Sequence, residues 1–209
     1  LVEERIRAQN IEVILRADVL RVATQGSRKA LTLSDRDLEV DLVFFGVGAR
    51  PNTSLARRAG IKLGETEAIA VNEYLQTSDP DVYAIGDCME NWDRITGGKR
   101  CYQTATNAAR TGRIAGKNVA LGNRVRHLGT VAPFITDVFG YQVGTIGLTE
   151  GDARARGFDA VPSVTVTATR RRPFGGKSIH IKLVADRNTH ALLGAQIVGE
   201  ELVAGKIDK

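Results

Sequence analysis

Cysteine is nearly missing: the 209 residues hold two, Cys88 and Cys101, and these are not in a Cys-x-x-Cys arrangement. Two thiols are too few for a disulfide framework, which sets aside the small stapled secreted class and points to a reducing, cytoplasmic home. The plain reading of the pair is a small buried hydrophobe and a loop thiol. Long hydrophobic runs are missing too. None approaches the roughly 20 residues of a membrane helix, and no signal peptide opens the chain. Methionine occurs once, at Met89, and the first residue is Leu1, so a piece of a longer protein is expected. The net charge of +5 comes mainly from arginine, yet outside Arg170-Arg171-Arg172 basic residues alternate with acids and apolar residues. That leaves no footprint for nucleic acid or a membrane surface. His127, His180 and His190 have no ligand spacing, and no metal centre is expected.

What is present is an ordinary balance of 43% hydrophobic and 25% charged residues, in a chain long enough to bury a core. Residues 2–10 read as an amphipathic helix. Short β-type runs follow at 11–15, 19–24, 30–33 and, strongly apolar, 40–47, separated by turn chemistry at Gln25-Gly26-Ser27 and 34–37. The last run exits through Gly46-Val47-Gly48 into a short helix that Gly60 stops. An edge strand is expected at 68–71. A longer helix is predicted from about Thr104 to Leu121, with Ala105, Ala108, Ala109, Gly112, Ala115 and Gly116 spaced for close packing and Gly122-Asn123 ending it. Beyond residue 129 the texture changes to hairpins. Runs at 134–139, 142–147, 164–169, 178–184 and 192–198 predict an antiparallel sheet with one wet face, interrupted by a helix at 149–156 with Thr149 as N-cap and Asp152 reaching back. A final helix is expected at 202–208.

The stretch TSDPDVYAIGD, residues 77–87, carries the functional argument. Residues 82–85 are apolar and bracketed by Asp79-Pro80 and Gly86, which predicts an interior strand entered through a turn. Asp87 then stands at its carboxyl end, where open α/β sheets bind ligands. An ionised carboxylate only accepts hydrogen bonds, and a sugar hydroxyl is a natural donor to it.

This stretch resembles the second flavin fingerprint of the FAD-dependent pyridine nucleotide-disulfide oxidoreductases. The resemblance implies that Asp87 accepts a hydrogen bond from the ribityl chain of FAD and that Gly86 lets the backbone approach the cofactor. It extends upstream to 48–52, similar to the family's link between its NADH and FAD domains, with Gly48 as a candidate beside the nicotinamide. Downstream, 102–108 resembles the segment whose helix N-terminus faces the flavin, implying that backbone at Gln103, Thr104 and Ala105 stabilises charge on the reduced ring. Residues 130–150 resemble the start of the family's dimerisation domain, and 202–208 its penultimate helix. The likeness is strongest to the NADH oxidase, NADH peroxidase and coenzyme A-disulfide reductase branch.

The implied fold class is α/β plus α+β: the second part of a flavoprotein with two dinucleotide-binding domains, then an antiparallel-sheet dimerisation domain. Expected boundaries are 1–47 for the NAD(P)H-binding remnant, 48–125 for the second half of the FAD domain, and 126–209 for dimerisation. The resemblance implies an oxidoreductase using FAD and NAD(P)H, a homodimer, and a small-molecule acceptor such as a disulfide, thiol-linked compound, peroxide or oxygen. It implies no catalytic residue within these 209, because the family's redox cysteine lies upstream and Cys88 does not replace it. Two alternatives stand beside this: a non-catalytic pairing module with a vestigial flavin half-site, and nucleic-acid contact through the basic hairpin. Arg170-Arg171-Arg172 stands where coenzyme A-disulfide reductases carry a tyrosine pair. It reads as a solvated turn or, second, as a hold for an anionic substrate. Gly176-Lys177-Ser178 resembles a phosphate loop without its first glycine.

The first flavin fingerprint, Gly-x-Gly-x-x-Gly opening a helix, does not occur in this sequence. The 209 residues alone are therefore expected to bind FAD weakly or not at all. Copurification of stoichiometric FAD, read from the visible spectrum, would overturn this.

Overall fold

The computed structural model describes residues 1–201 and 203–207, and the side chains of Arg172, Ala204 and Lys206 lie outside the description. The chain divides into two compact units, Leu1–Ala49 and Arg50–Lys209.

The first unit opens with α1 (Val2–Arg7), tied by an Arg7–Glu3 ion pair at 2.8 Å. A meander follows: β1 (Val19–Gln25), β2 (Arg28–Leu33) and β3 (Asp37–Val40), antiparallel in the order β1-β2-β3. Gly26 supplies the positive φ of +60° that the tight β1–β2 turn needs. Two expectations fail here. Residues 11–15 form no strand, and the apolar run 40–47 is not a buried one: pairing stops at Val40, and Phe44 and Val47 are each 88% exposed. Strand composition needs a neighbour to take its N–H and C=O groups. β2 is already paired on both edges, and no other described segment pairs with residues 41–49.

The second unit begins with α2 (Ser54–Arg58), after which Gly60 turns the chain at φ +74°. Residues 61–89 run as short extended pieces and turns joined by isolated bridges, Leu63 with Ile69, Ile69 with Met89, and Gln76 with Tyr83. The expected interior strand 82–85 and edge strand 68–71 are therefore each reduced to bridges. Ala84 donates its N–H to Leu75 O at 3.0 Å, while Ile85 is 43% exposed. Val71, Leu75, Ala84, Met89 and Ala115 form the core under this segment.

A small hairpin, β4 (Asn91–Trp92) and β5 (Lys99–Arg100), leads to α3 (Ala105–Leu121), which ends at Gly122 with φ +74°. Asn118 of α3 is buried and fully satisfied. Its amide donates to Tyr74 O and Val125 O, and its oxygen accepts from the N–H groups of Arg124 and Val125. Further on, Thr130 accepts from Arg94 N–H and donates its own N–H to Trp92 O.

The remainder is a five-stranded antiparallel sheet in the order β6-β7-β10-β9-β8: β6 (Phe134–Val138), β7 (Tyr141–Gly147), β8 (Ala160–Ala168), β9 (Ser178–Asp186) and β10 (Leu192–Gly199). Helix α4 (Glu150–Ala155) enters through the expected Thr149 cap, where the Thr149 hydroxyl donates to Asp152 Oδ2 at 2.7 Å. Helix α5 (Val203–Ile207) lies within the segment 202–208, whose residues 202 and 208 fall outside the description.

The wet-face expectation holds only at the sheet margins, where Phe134, Val164 and Val166 are exposed. At the centre β10 is buried on both sides. One cluster joins Ile179, Ala195 and Ile197 to Val203 and Ile207 of α5, and the other joins Leu193 and Val184 to Leu148, Ala153 and Ala160. A bulge between Leu192 and Gly194 sends Leu193 to the face opposite Ala195, breaking the simple alternation.

Replacing Asn118 with Ala strips four part-buried main-chain groups, at Tyr74, Arg124 and Val125, of their side-chain partner. At ~1–3 kcal/mol per unsatisfied group, partly offset by water entering, we expect a loss of about 3 kcal/mol in urea unfolding. A loss under ~0.5 kcal/mol would show that the ties carry no weight.

Candidate functional site

Gly86 is where the candidate site is shaped. Its φ of +66° belongs to the left-handed region, and a Cβ there would stand 3.2 Å from Cβ of Ala108 on α3. A Cβ on Gly112 would in turn meet Ile85 Cδ1 at 3.5 Å. Gly86 N–H donates to Thr111 Oγ1 at 3.1 Å, and that buried hydroxyl donates back to Asn107 O at 2.8 Å. The small residues of α3 thus let the helix press onto the 85–86 backbone. The space left by the missing side chain of Gly86 faces this helix.

Residues Gly86–Cys88 then make a single 3-10 turn that leaves Asp87 exposed. Its carboxylate accepts no hydrogen bond from the described residues. The Asp87 main-chain oxygen is held instead, by the Cys101 thiol at 3.4 Å and Gln103 Nε2 at 3.5 Å. Thr104 is extended and caps α3, accepting from Asn107 N–H at 3.4 Å. Ala105 begins the helix, whose first turn contains no acid. The N–H groups of Ala105 and Thr106 have no intrahelical acceptor. Gln103, Thr104, Ala105 and Thr106 line a cleft of about 390 Å³ with Pro133, Phe134 and Ile135.

Five of the six residues singled out in the sequence, Gly86, Asp87, Gln103, Thr104 and Ala105, are therefore neighbours within the second unit. Gly48 belongs to the first unit, where its φ is +94° and open space surrounds the position of a Cβ. In the basic hairpin, Arg170 holds Glu201 with two bonds of 3.2 and 3.0 Å, and Arg171 is exposed. Gly176 lies against Arg170 O, and no helix follows it, so it is not a phosphate loop.

Sequence reading missed two buried polar groups beside this site. Asp93 accepts from Ile95 N–H, Thr96 N–H and the Tyr102 hydroxyl at 2.8 Å. Burial pushes its carboxyl up, but these donors and Arg100 outweigh burial and hold it below its ordinary value. Burial and then the Asp93 bond raise Tyr102 well above the usual phenol range. His127 is buried, bonded through Nε2 to Asn91 Oδ1 at 2.7 Å, and donates its main-chain N–H to Glu73 O. Burial, then the Arg110 guanidinium, pushes its pKa down.

A cleft at a helix N-terminus, an exposed carboxylate on the neighbouring glycine turn and a five-stranded antiparallel sheet further along the chain are the features of an α/β fragment followed by an α+β domain. Family models agree: pyridine nucleotide-disulphide oxidoreductase over residues 1–112 and the dimerisation domain of the same enzymes over 135–205. The chain belongs to the pyridine nucleotide-disulphide oxidoreductase family. It is 35% identical to an NADH oxidase of Methanocaldococcus jannaschii over all of this chain and 46% of that protein. It is 34% identical to a CoA-dependent NAD(P)H sulfur oxidoreductase of Pyrococcus abyssi over 97% of this chain and 45% of that one. The solved NAD-dependent persulfide reductase of A. fulgidus superposes with a TM-score of 0.93 at 31% identity, covering 99% of this chain and 39% of its own. The chain thus spans about half the length of the curated relatives it matches. Among the described residues no helix is long and apolar enough to cross a membrane.

His127 gives the fold a pH signature. Its native pKa lies below the ordinary 6.5, so protons bind the unfolded chain first. Stability is complete above about pH 6.5 and falls as the solution is acidified. Unfolding midpoints at pH 7.5 and 5.5 should show this loss, and His127→Gln should shrink it. An unchanged difference in the variant would remove His127 as the cause.

Proposed function

We propose that this chain supplies the ribityl-facing half of an FAD site in an NAD(P)H oxidoreductase. The observation that carries the reading is the exposed, unpartnered Asp87 carboxylate set beside the N-terminus of α3 through its own main-chain bonds to Cys101 and Gln103. These residues fit the cofactor. A carboxylate that only accepts suits a sugar hydroxyl, and free N–H groups in a cleft of about 390 Å³ suit the polar edge of a flavin. When bound, FAD supplies the chemistry of accepting hydride from NAD(P)H and passing electrons onward.

The chain's own residues bind and orient. Asp87 fixes the sugar chain, and Gln103, Thr104 and Ala105 present main-chain dipoles that favour negative charge at the ring edge. Gly48 is assigned, more weakly, to the nicotinamide side. We assign 1–47 to the NAD(P)H-binding part, 48–125 to the FAD part and 126–209 to dimerisation, with a homodimer formed through the last and a cytoplasmic location consistent with two free thiols. The acceptor belongs to the set that relatives' names indicate, oxygen or sulfur compounds. Arg170, engaged by Glu201, offers no free guanidinium for an anion. No observation favours the vestigial-module or nucleic-acid alternatives.

The test is Asp87→Ala in the natural full-length protein. Loss of a charge-assisted hydrogen bond, about 1.5–3 kcal/mol, should weaken FAD retention roughly tenfold to a hundredfold, read by equilibrium dialysis and flavin absorbance. Unchanged affinity would remove the role assigned to Asp87.

A further inference from the structure

Cys88 and Cys101 are the only cysteines among the 209 residues, and the turn at Asp87 brings them near one another. Both are half-buried and unbridged. The Cys101 thiol donates to the main-chain oxygen of Asp87, the residue directly before Cys88, at 3.4 Å. Cys88 Sγ points to Asn52 O at a looser 3.8 Å. The β4–β5 register pairs Asn91 with Arg100 and Trp92 with Lys99. The pairing ends there: Cys101 directly follows β5, and Cys88 lies three residues before β4, in the single 3-10 turn Gly86–Cys88. After burial and Asp87, Cys88 is itself close enough to Cys101 to raise its pKa, and a disulfide needs their Cα atoms within about 6.8 Å of one another.

We propose that Cys88 and Cys101 form a dithiol that low-molecular-weight disulfides convert to an internal disulfide, tying the Asp87 turn to the strand that leads into α3. The first step is attack by Cys88 as thiolate on the small disulfide, giving a mixed disulfide and one small thiol. Cys101 then loses its proton to solvent, attacks Cys88 sulfur and expels the second small thiol. Two protein thiols are oxidised and one small disulfide is reduced to two thiols. Burial, then the nearby Asp87 carboxylate, raises the Cys101 pKa, which suits a resolving thiol that stays protonated until the mixed disulfide forms. The proposal stands without bound FAD, so its outcome is independent of the flavin assignment.

The test treats the reduced 209-residue chain with oxidised glutathione, blocks remaining thiols with N-ethylmaleimide and maps tryptic peptides without reductant. The expected result is an intact mass lower by about 2 Da and a linked pair of peptides, 63–94 and 101–110, released by reductant. Linkage should be about tenfold slower in urea, where closure depends on chain entropy alone. Cys101→Ser should stop at a single mixed disulfide at Cys88, whereas Cys88→Ser, left with the resolving thiol alone, should stay largely unmodified. Two separately blocked or separately glutathionylated cysteines, linkage only between chains, or equal rates in urea would each overturn the proposal.

Discussion

The site depends on one missing methyl group. Gly86 accepts a left-handed backbone and lets α3 approach until a side chain at that position would touch Ala108. Any other residue would meet about 1–2 kcal/mol of backbone strain together with a displaced helix. From that close approach the rest follows. The turn throws Asp87 outward, its carbonyl collects Cys101 and Gln103, and the first turn of α3 is fixed beside a carboxylate that nothing else in the unit uses. The close packing also shows why small residues recur on one side of α3, a pattern that concerns helix placement before it concerns any ligand.

Elements with their own local punctuation were legible in the sequence. Helix α3 announced itself through the Thr104 cap, the small-residue stripe and the Gly122 stop; α4 did so through Thr149 and Asp152, and the hairpins through their turns. Asp87 and its neighbours stand out in the sequence because a short motif and its spacing are legible in one dimension. The runs 40–47 and 82–85 misled for a shared reason. Apolar composition reports that a segment wants burial, whereas a strand exists only where a second segment offers matching donors and acceptors. Among the described residues those partners come to one bridge at Tyr83 and, beyond Val40, none.

Other features were beyond the reach of periodicity. The His127–Asn91 bond joins residues 36 apart, and neither residue type announces the other. Asp93 reads as one more loop acid until Tyr102 and two main-chain N–H groups close around it. The bulge at Leu193 makes β10 serve both cores, which a strict alternation of two cannot express.

The stretch between the two family segments, residues 113–134, carries three buried polar residues tied to earlier parts of the second unit: Asn118 to Tyr74, His127 to Asn91, and Thr130 to Trp92 and Arg94. The cleft at α3 is itself lined by Pro133 and by Phe134 and Ile135 of β6, so a shift of that sheet edge would reach the cleft directly, with no intervening segment to absorb it.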